Sequence, residues 1–323
     1  MPRRTFVAAV MLAAVAGGPS AARAQSTNAN DVIAAARKAI GDKTLNSLDT
    51  LTIEASVQRH VGSMQVGSET EILLDLPDKY VRTDQSRGPM AGGFSLGFNG
   101  DTPIRPAGGN VTSGGGLMIR MGPGSGPGGP QPPEKLSPEE QARADAQFVR
   151  AQRAEISRLM LGWLATAHPA LNAQYAYAGE AESPDGKADI VDVKTEDGFS
   201  ARLFIDQLTH LPLMVTYRGP QPRMITTRGP RGGGPAPHDR GSRQLSEEER
   251  KKLREDADTQ IRQMEAEPPA LVEVNLYFDD WRDVGGMQFP HSLRRAVAGT
   301  TNEEWTVTRV KVNPRLDAGK FKG

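Results

Sequence analysis

The chain has no cysteine among its 323 residues. That absence rules out a disulfide framework and the acylated cysteine of a bacterial lipoprotein. Net charge is missing too: 39 basic side chains face 39 acidic ones. Without the first 24 residues, and so without Arg3, Arg4 and Arg23, 36 face 39, a balance that argues against nucleic acid as the main partner. Aromatic residues make up only 5% of the chain, and no apolar run beyond the N-terminal segment approaches the roughly 20 residues of a membrane span. The five histidines, His60, His168, His210, His238 and His291, show no H-x-H or H-x-x-x-H spacing, so neither a metal site nor a cofactor is expected.

What is present begins with MPRRTFVAAVMLAAVAGGPSAARAQ. Two arginines precede an apolar run, and Ala22-Arg23-Ala24 has the small-x-small pattern of a signal-peptidase site. Residues 1–24 therefore read as a removed export signal, by the Sec route or, because Arg3-Arg4-Thr5-Phe6 resembles a twin-arginine signal, by the other. Residues 25–323 then read as one periplasmic domain, a monomer, with insertions. The 35 glycines and 24 prolines cluster at about 104–135 and 219–242, where the composition cannot bury enough apolar surface to offset ordering entropy; both stretches are expected to be disordered. The second insertion extends to about 268 through a charged helix, LSEEERKKLREDADTQIRQM. That helix echoes LSPEEQARADAQ after the first insertion without making the domain a repeat.

Between the insertions the pattern is that of a sheet. Asp31–Ile40 is amphipathic and is expected to stop at Gly41 in a left-handed cap. Leu51, Ile53, Ala55 and Val57 alternate with polar residues, as do Ile72 and Leu74, then Phe94, Leu96 and Phe98; period-two alternation buries one face and wets the other. Ser137, Pro138 and Glu140 form a capping-box start for a helix running to about Ala167, which His168-Pro169 closes. Leu203 and Ile205, Leu213 and Val215, then Val274, Leu276 and Phe278 continue the alternation. The class is α+β, with the sheet as the body.

Three features invite a chemical reading. Gly93-Phe94-Ser95-Leu96-Gly97 is a literal G-x-S-x-G, yet FNGDTPIRP after it cannot open the helix that a nucleophile elbow needs, and Ser95 falls on the polar face of a strand. His210 stands beside Pro212 at a bend between alternating strands, as a surface turn residue. Asp279 and Asp280 could be paired carboxylates for acid and base work, but the following Val284-Gly285-Gly286 favours a turn. The arginines between Arg218 and Arg243 read as a solvated linker, with anionic lipid headgroups as the alternative partner.

The order of these elements resembles the LolA-like outer-membrane lipoprotein-sorting and carrier superfamily. Three pieces carry the resemblance: D-x-P-D-K-Y-x-R at Asp75–Arg82, the D-x-x-T-x-L-P hairpin at Asp206–Pro212, and a D-x-R-x-V-x-G-like segment at Asp280–Pro290. The resemblance implies an incomplete, open antiparallel β-barrel of LolA type closed by helices. Its apolar concave face would shelter lipid or lipoprotein acyl chains, with no catalysis, metal or cofactor. On that reading Ile53, Val57, Ile72, Leu74, Phe94, Leu96, Phe98, Leu203, Ile205, Leu213, Val215, Val274, Leu276 and Phe278 face the helices or the ligand. Two alternatives stay open: an envelope protein with a closed core that binds another protein through its insertions, and a serine esterase using Ser95.

Overall fold

The computed structural model describes residues 28–61, 64–86, 92–105, 137–184, 186–221 and 270–322, with 248, 252 and 259 besides. The export signal, nearly all of both Gly/Pro-rich stretches and the charged helix lie outside the described residues. Helix α1 (Ala29–Asn46) leads into strands β1 (Thr50–Val61), β2 (Met64–Asp75), β3 (Lys79–Ser86), β4 (Gly92–Asn99) and β5 (Thr102–Ile104). Helix α2 (Pro138–Leu164) follows, and then β6 (Gln174–Ser183), β7 (Gly186–Lys194), β8 (Ser200–Asp206), β9 (Pro212–Pro220), β10 (Leu271–Val284), β11 (Met287–Val297) and β12 (Thr300–Val312).

All twelve strands form one antiparallel sheet in the order β5-β4-β3-β2-β1-β12-β11-β10-β9-β8-β7-β6. Each half of the chain is a meander, and pairing of the first strand with the last joins the two. The sheet is open: β5 and β6 are its edges. Helix α2 is the link between those edges, so the chain must carry it across the hollow, where it lies closest to β4–β5 on one side and β8–β10 on the other. This is the open half-barrel with helices that the sequence implies.

Period-two alternation fixes what fills the hollow. Leu51, Ile53, Ala55 and Val57 of β1 stand beside Ile72 and Leu74 of β2, and all are buried. Val191, Val193, Leu203, Ile205, Val215, Leu276 and Phe278 supply the opposite wall. Against them α2 presents Val149, Ile156, Leu159, Met160, Trp163 and Leu164, each buried and each worth roughly 1.5–3 kcal/mol on transfer from water. Trp163 packs on Phe289 with ring centroids 5.5 Å apart. On the back of the sheet a smaller cluster, Leu73, Val81, Ile104 and Phe321, receives the C-terminal tail.

The start of α2 is as expected, while α1 begins at Ala29, ahead of Asp31, and both helix ends differ. Ser137 and Glu140 form the reciprocal capping box, Glu140 N–H donating to Ser137 Oγ at 3.3 Å and Ser137 N–H to Glu140 Oε2 at 2.9 Å. However, α2 ends at Leu164, where Ala165 takes φ 49°. His168 instead caps the short 3-10 turn Pro169–Leu171, its Nδ1 accepting from Ala170 N–H. Helix α1 does not stop at Gly41 but bends there at φ 140° and resumes to Asn46. The cause is a close approach: a Cβ at Gly41 would stand 2.5 Å from the Gly286 carbonyl oxygen, which also accepts a bond from Thr44 Oγ1 at 3.2 Å. The insertions are slightly shorter than their composition suggests, because Ile104 belongs to β5 and β9 runs through Pro220, paired with Leu271.

Gly162 marks the tightest seat of α2. A Cβ there would fall 2.0–2.4 Å from the ring of the buried Phe278. Gly162→Val is therefore expected to lower the unfolding free energy by about 1–3 kcal/mol in urea titration, the usual cost of overpacking, whereas Glu139→Ala on the exposed first turn should cost under about 1 kcal/mol.

Candidate functional site

The candidate site is the hollow under α2. Of the fourteen residues assigned to it from sequence, Ile53, Val57, Ile72, Leu74, Phe98, Leu203, Ile205, Val215, Val274, Leu276 and Phe278 are buried in one continuous cluster, and Leu96 packs partly buried against it. Two are placed differently. Leu213 sits at a β-bulge, where Ile205 pairs with Pro212 and Phe204 with Met214, so Pro212 takes the buried position and Leu213 is only half-buried. Phe94 pairs with Asp84 at the open end of the sheet, half-buried among charged residues and outside the apolar cluster.

That charged end is what the alternation pattern hid. Arg59, Thr70, Arg82, Asp84, Arg295 and Glu303 occupy inward positions, continuing the rows of Val57, Ile72, Tyr80, Leu293 and Trp305. Arg295, Glu303 and Arg59 stand side by side on β11, β12 and β1, a row of alternating sign. Asp84 accepts from Arg59 Nη2 at 3.0 Å, Arg82 Nε at 2.8 Å and Thr70 Oγ1 at 2.5 Å. Glu303 Oε1 lies 3.2 Å from both Arg59 and Arg82, and the Arg82 guanidinium stacks over Trp305, 4.7 Å from its centroid. Burial alone would raise the Asp84 carboxyl, but Arg82, Arg59 and the Thr70 hydroxyl hold it down at about 2. Glu303 is likewise held low: burial works against it, while Arg82, Arg59 and Arg295 prevail. Arg82 is the last residue of the Asp75–Arg82 element, so that element carries an internal charge besides its turn.

Helix α2 adds the roof. Glu155 bridges Arg158 at 3.2 Å and Arg295 at 3.6 Å, and Arg158 stacks on Tyr217 at 4.1 Å. Nearer the other margin Arg153 Nη2 donates to the Gly100 carbonyl and to Asp101, both at 3.1 Å, and Arg105 holds Asp145 at 2.8 Å. These marginal links are partly exposed, and such pairs contribute about 0–1 kcal/mol each. His168 is buried edge-on against Phe98, with Ser157 Oγ accepting from its backbone N–H at 3.0 Å. Burial, reinforced by the nearby Arg153 charge, lowers the His168 pKa to about 4.

Among the described residues the catalytic readings find no constellation. Ser95 lies mid-strand on β4, not on a strand-to-helix turn, and its hydroxyl faces Thr83 Oγ1 at 2.9 Å. The second glycine of the G-x-S-x-G has a packing reason: a Cβ at Gly97 would fall 2.0 Å from the Tyr80 carbonyl oxygen. His210 is an exposed turn residue at φ 57°, in a bend shaped by Asp206 Oδ1, which accepts from Leu208 N–H, Thr209 N–H and the Thr209 hydroxyl. Asp279 and Asp280 are not at a turn; they lie within β10, Asp280 at φ 55° and paired to Arg282, and the turn falls at Gly285-Gly286. Among the described residues no group of three acidic or histidine side chains could hold a metal, and no helix is long and apolar enough to cross a membrane.

No family profile and no curated protein matches the chain. Among solved structures it is similar to a LolA superfamily protein from Nitrosomonas europaea, at 8% identity over 92% of this chain and 99% of that one, with a TM-score of 0.48. It is also similar to a putative outer membrane lipoprotein-sorting protein domain from Vibrio parahaemolyticus, at 10% identity over 90% and 94% of the two chains with a TM-score of 0.40. A DUF1329 family protein from Desulfovibrio piger is 11% identical over 91% and 97%, with a TM-score of 0.38.

Two of the buried titratable groups, His168 and Asp84, act in separate pH windows. His168 is neutral in the folded protein down to about pH 4, whereas an unfolded chain binds its proton near 6.5, so its contribution is intact above about 6.5 and lost as pH falls toward 4. Asp84 contributes fully above its ordinary 3.8 and loses that contribution as pH falls toward 2. In urea titrations at stepped pH, His168→Asn should flatten the slope between pH 6.5 and 4 and leave the lower limb. Asp84→Asn should cost about 3–5 kcal/mol at neutral pH, because it leaves the largely buried Arg59 and Arg82 charges to share Glu303.

Proposed function

We propose that the protein is an exported periplasmic binding or carrier protein that holds an acyl-chain ligand, from a lipid or a lipoprotein, between α2 and the concave face of its sheet. One observation carries this reading: the apolar wall of the hollow is continuous across both halves of the sheet and, among the described residues, is covered only by helices, the amphipathic α2 with α1 beside it. A second sheet packed on that wall would bury both layers permanently. A helix exchanges more readily than a sheet, because the apolar underside of α2 occupies the same surface that an alkyl chain would occupy.

A closed-core protein that binds an envelope partner through its insertions is the second reading. It is favoured by the depth to which α2 already buries the wall, Trp163, Met160 and Ile156 included.

Native mass spectrometry of the protein purified from a bacterial periplasm, with lipid extraction of the same sample, separates the two. The carrier reading expects a bound mass that matches a fatty acid, phospholipid or acylated peptide and returns when lipid is added. A clean apo mass with no uptake of added lipid would transfer the case to the interaction reading.

A further inference from the structure

The charged end of the hollow contains more cation than it neutralises. Among the described residues, Arg59, Arg82, Arg158 and Arg295 gather there with Asp84, Glu155 and Glu303 as their acidic partners. One positive charge is left over. The surplus lies toward Arg158 and Arg295, which share the single carboxylate of Glu155, while Asp84 and Glu303 are engaged by Arg59 and Arg82.

Unused donors collect at the same spot. The Tyr217 hydroxyl, the Arg158 Nε–H and the Arg295 Nε–H are buried with no hydrogen-bond partner among the described residues. Burial, aided by the Glu155 charge, pushes the Tyr217 hydroxyl up to about 12, so it stays protonated at neutral pH and is available to donate. A buried donor without an acceptor costs about 1–3 kcal/mol, and three beside one another ask for an oxygen-rich guest. The place is reachable, since the side chains of Arg158, Glu155 and Arg295 keep 19%, 18% and 14% of their exposure. It also adjoins the apolar wall: Arg295 pairs across the strands with Leu276, and Tyr217 with Val274.

We propose that Arg158, Arg295 and the Tyr217 hydroxyl form a binding site for the acidic head of an amphiphile, a carboxylate or a phosphate monoester, whose chain lies along Val274 and Leu276. This deepens the carrier reading and rests on it for the chain. Glu155 of α2 is the resident stand-in: its carboxylate bridges the two arginines as the guest's acid would, so an arriving head displaces Glu155 and loosens α2 where the apolar chain must enter. An arginine pair suits such a head because guanidinium groups match carboxylate and phosphate oxygens in a planar, two-pronged geometry.

Calorimetric titration of the full protein tests this with four probes: dodecanoate, dodecyl phosphate, the neutral dodecyl glyceryl ether and inorganic phosphate. The two acidic amphiphiles are expected to bind at least tenfold tighter than the neutral one. Tyr217→Phe, which keeps the ring and its stacking with Arg158, should weaken the acids several-fold and leave the neutral ether unchanged. Glu155→Gln, which removes the competing carboxylate, should strengthen them several-fold. Equal affinity for acidic and neutral amphiphiles, unmoved by either substitution, would overturn the acid site and leave the carrier reading standing. Binding of inorganic phosphate with no uptake of any amphiphile would support the anion site and overturn its lipid source, and no binding of any probe would overturn both proposals.

Discussion

A broad sheet with one apolar face cannot stay uncovered in water, and everything else in this protein follows from how that face is covered. The two meanders meet at β1 and β12 and leave β5 and β6 as free edges, with the α2 segment as the covalent link between them. The link must cross the hollow. A 27-residue helix with Ile156, Leu159, Met160, Trp163 and Leu164 on its inner side meets that requirement and, with Val32, Ala36 and Ile40 of α1, completes the core. Gly162 lets the helix settle onto Phe278, and Gly41 lets α1 pass the Gly285-Gly286 turn that closes β10 onto β11.

The inner face changes character along its length. Its middle is Leu, Ile, Val and Phe; its far end is a charge row in which Arg295, Glu303 and Arg59 alternate across three strands. Such a row does little for stability compared with an apolar equivalent, since desolvation offsets most of the attraction, but breaking any one partner is costly. It does fix register: sliding a strand by one residue would turn these charges outward and bring polar residues such as Ser56 or Thr306 inward. The same row makes the hollow amphipathic end to end, a shape that suits an amphiphile better than a plain hydrocarbon.

Alternation made the strands and the apolar wall legible in the sequence, because period two is imposed by the backbone and shows wherever one face is dry. It failed in two ways. Charged residues at inward parity, Arg82, Asp84 and Glu303 above all, carry no apolar mark, and only their spacing from Tyr80 and Trp305 places them inside. Leu213 was assigned by parity across a bulge, and a bulge shifts parity without leaving a mark in local composition; only the pairing of Ile205 with Pro212 reveals it. Element ends were set by tertiary contacts that no local pattern contains, as at Gly41, where the deciding neighbour is Gly286, 245 positions along the chain.

On the carrier reading α2 is a cover that a guest can displace and not a fixed part of the core. Hydrogen exchange of the intact protein, measured by mass spectrometry with and without dodecanoate, addresses it most directly. Displacement predicts faster exchange across residues 148–164 in the loaded protein, with the amides of β1, β11 and β12 unchanged or slowed. Unaltered protection of α2 at saturating dodecanoate would contradict the account and make the helix a permanent element of the core.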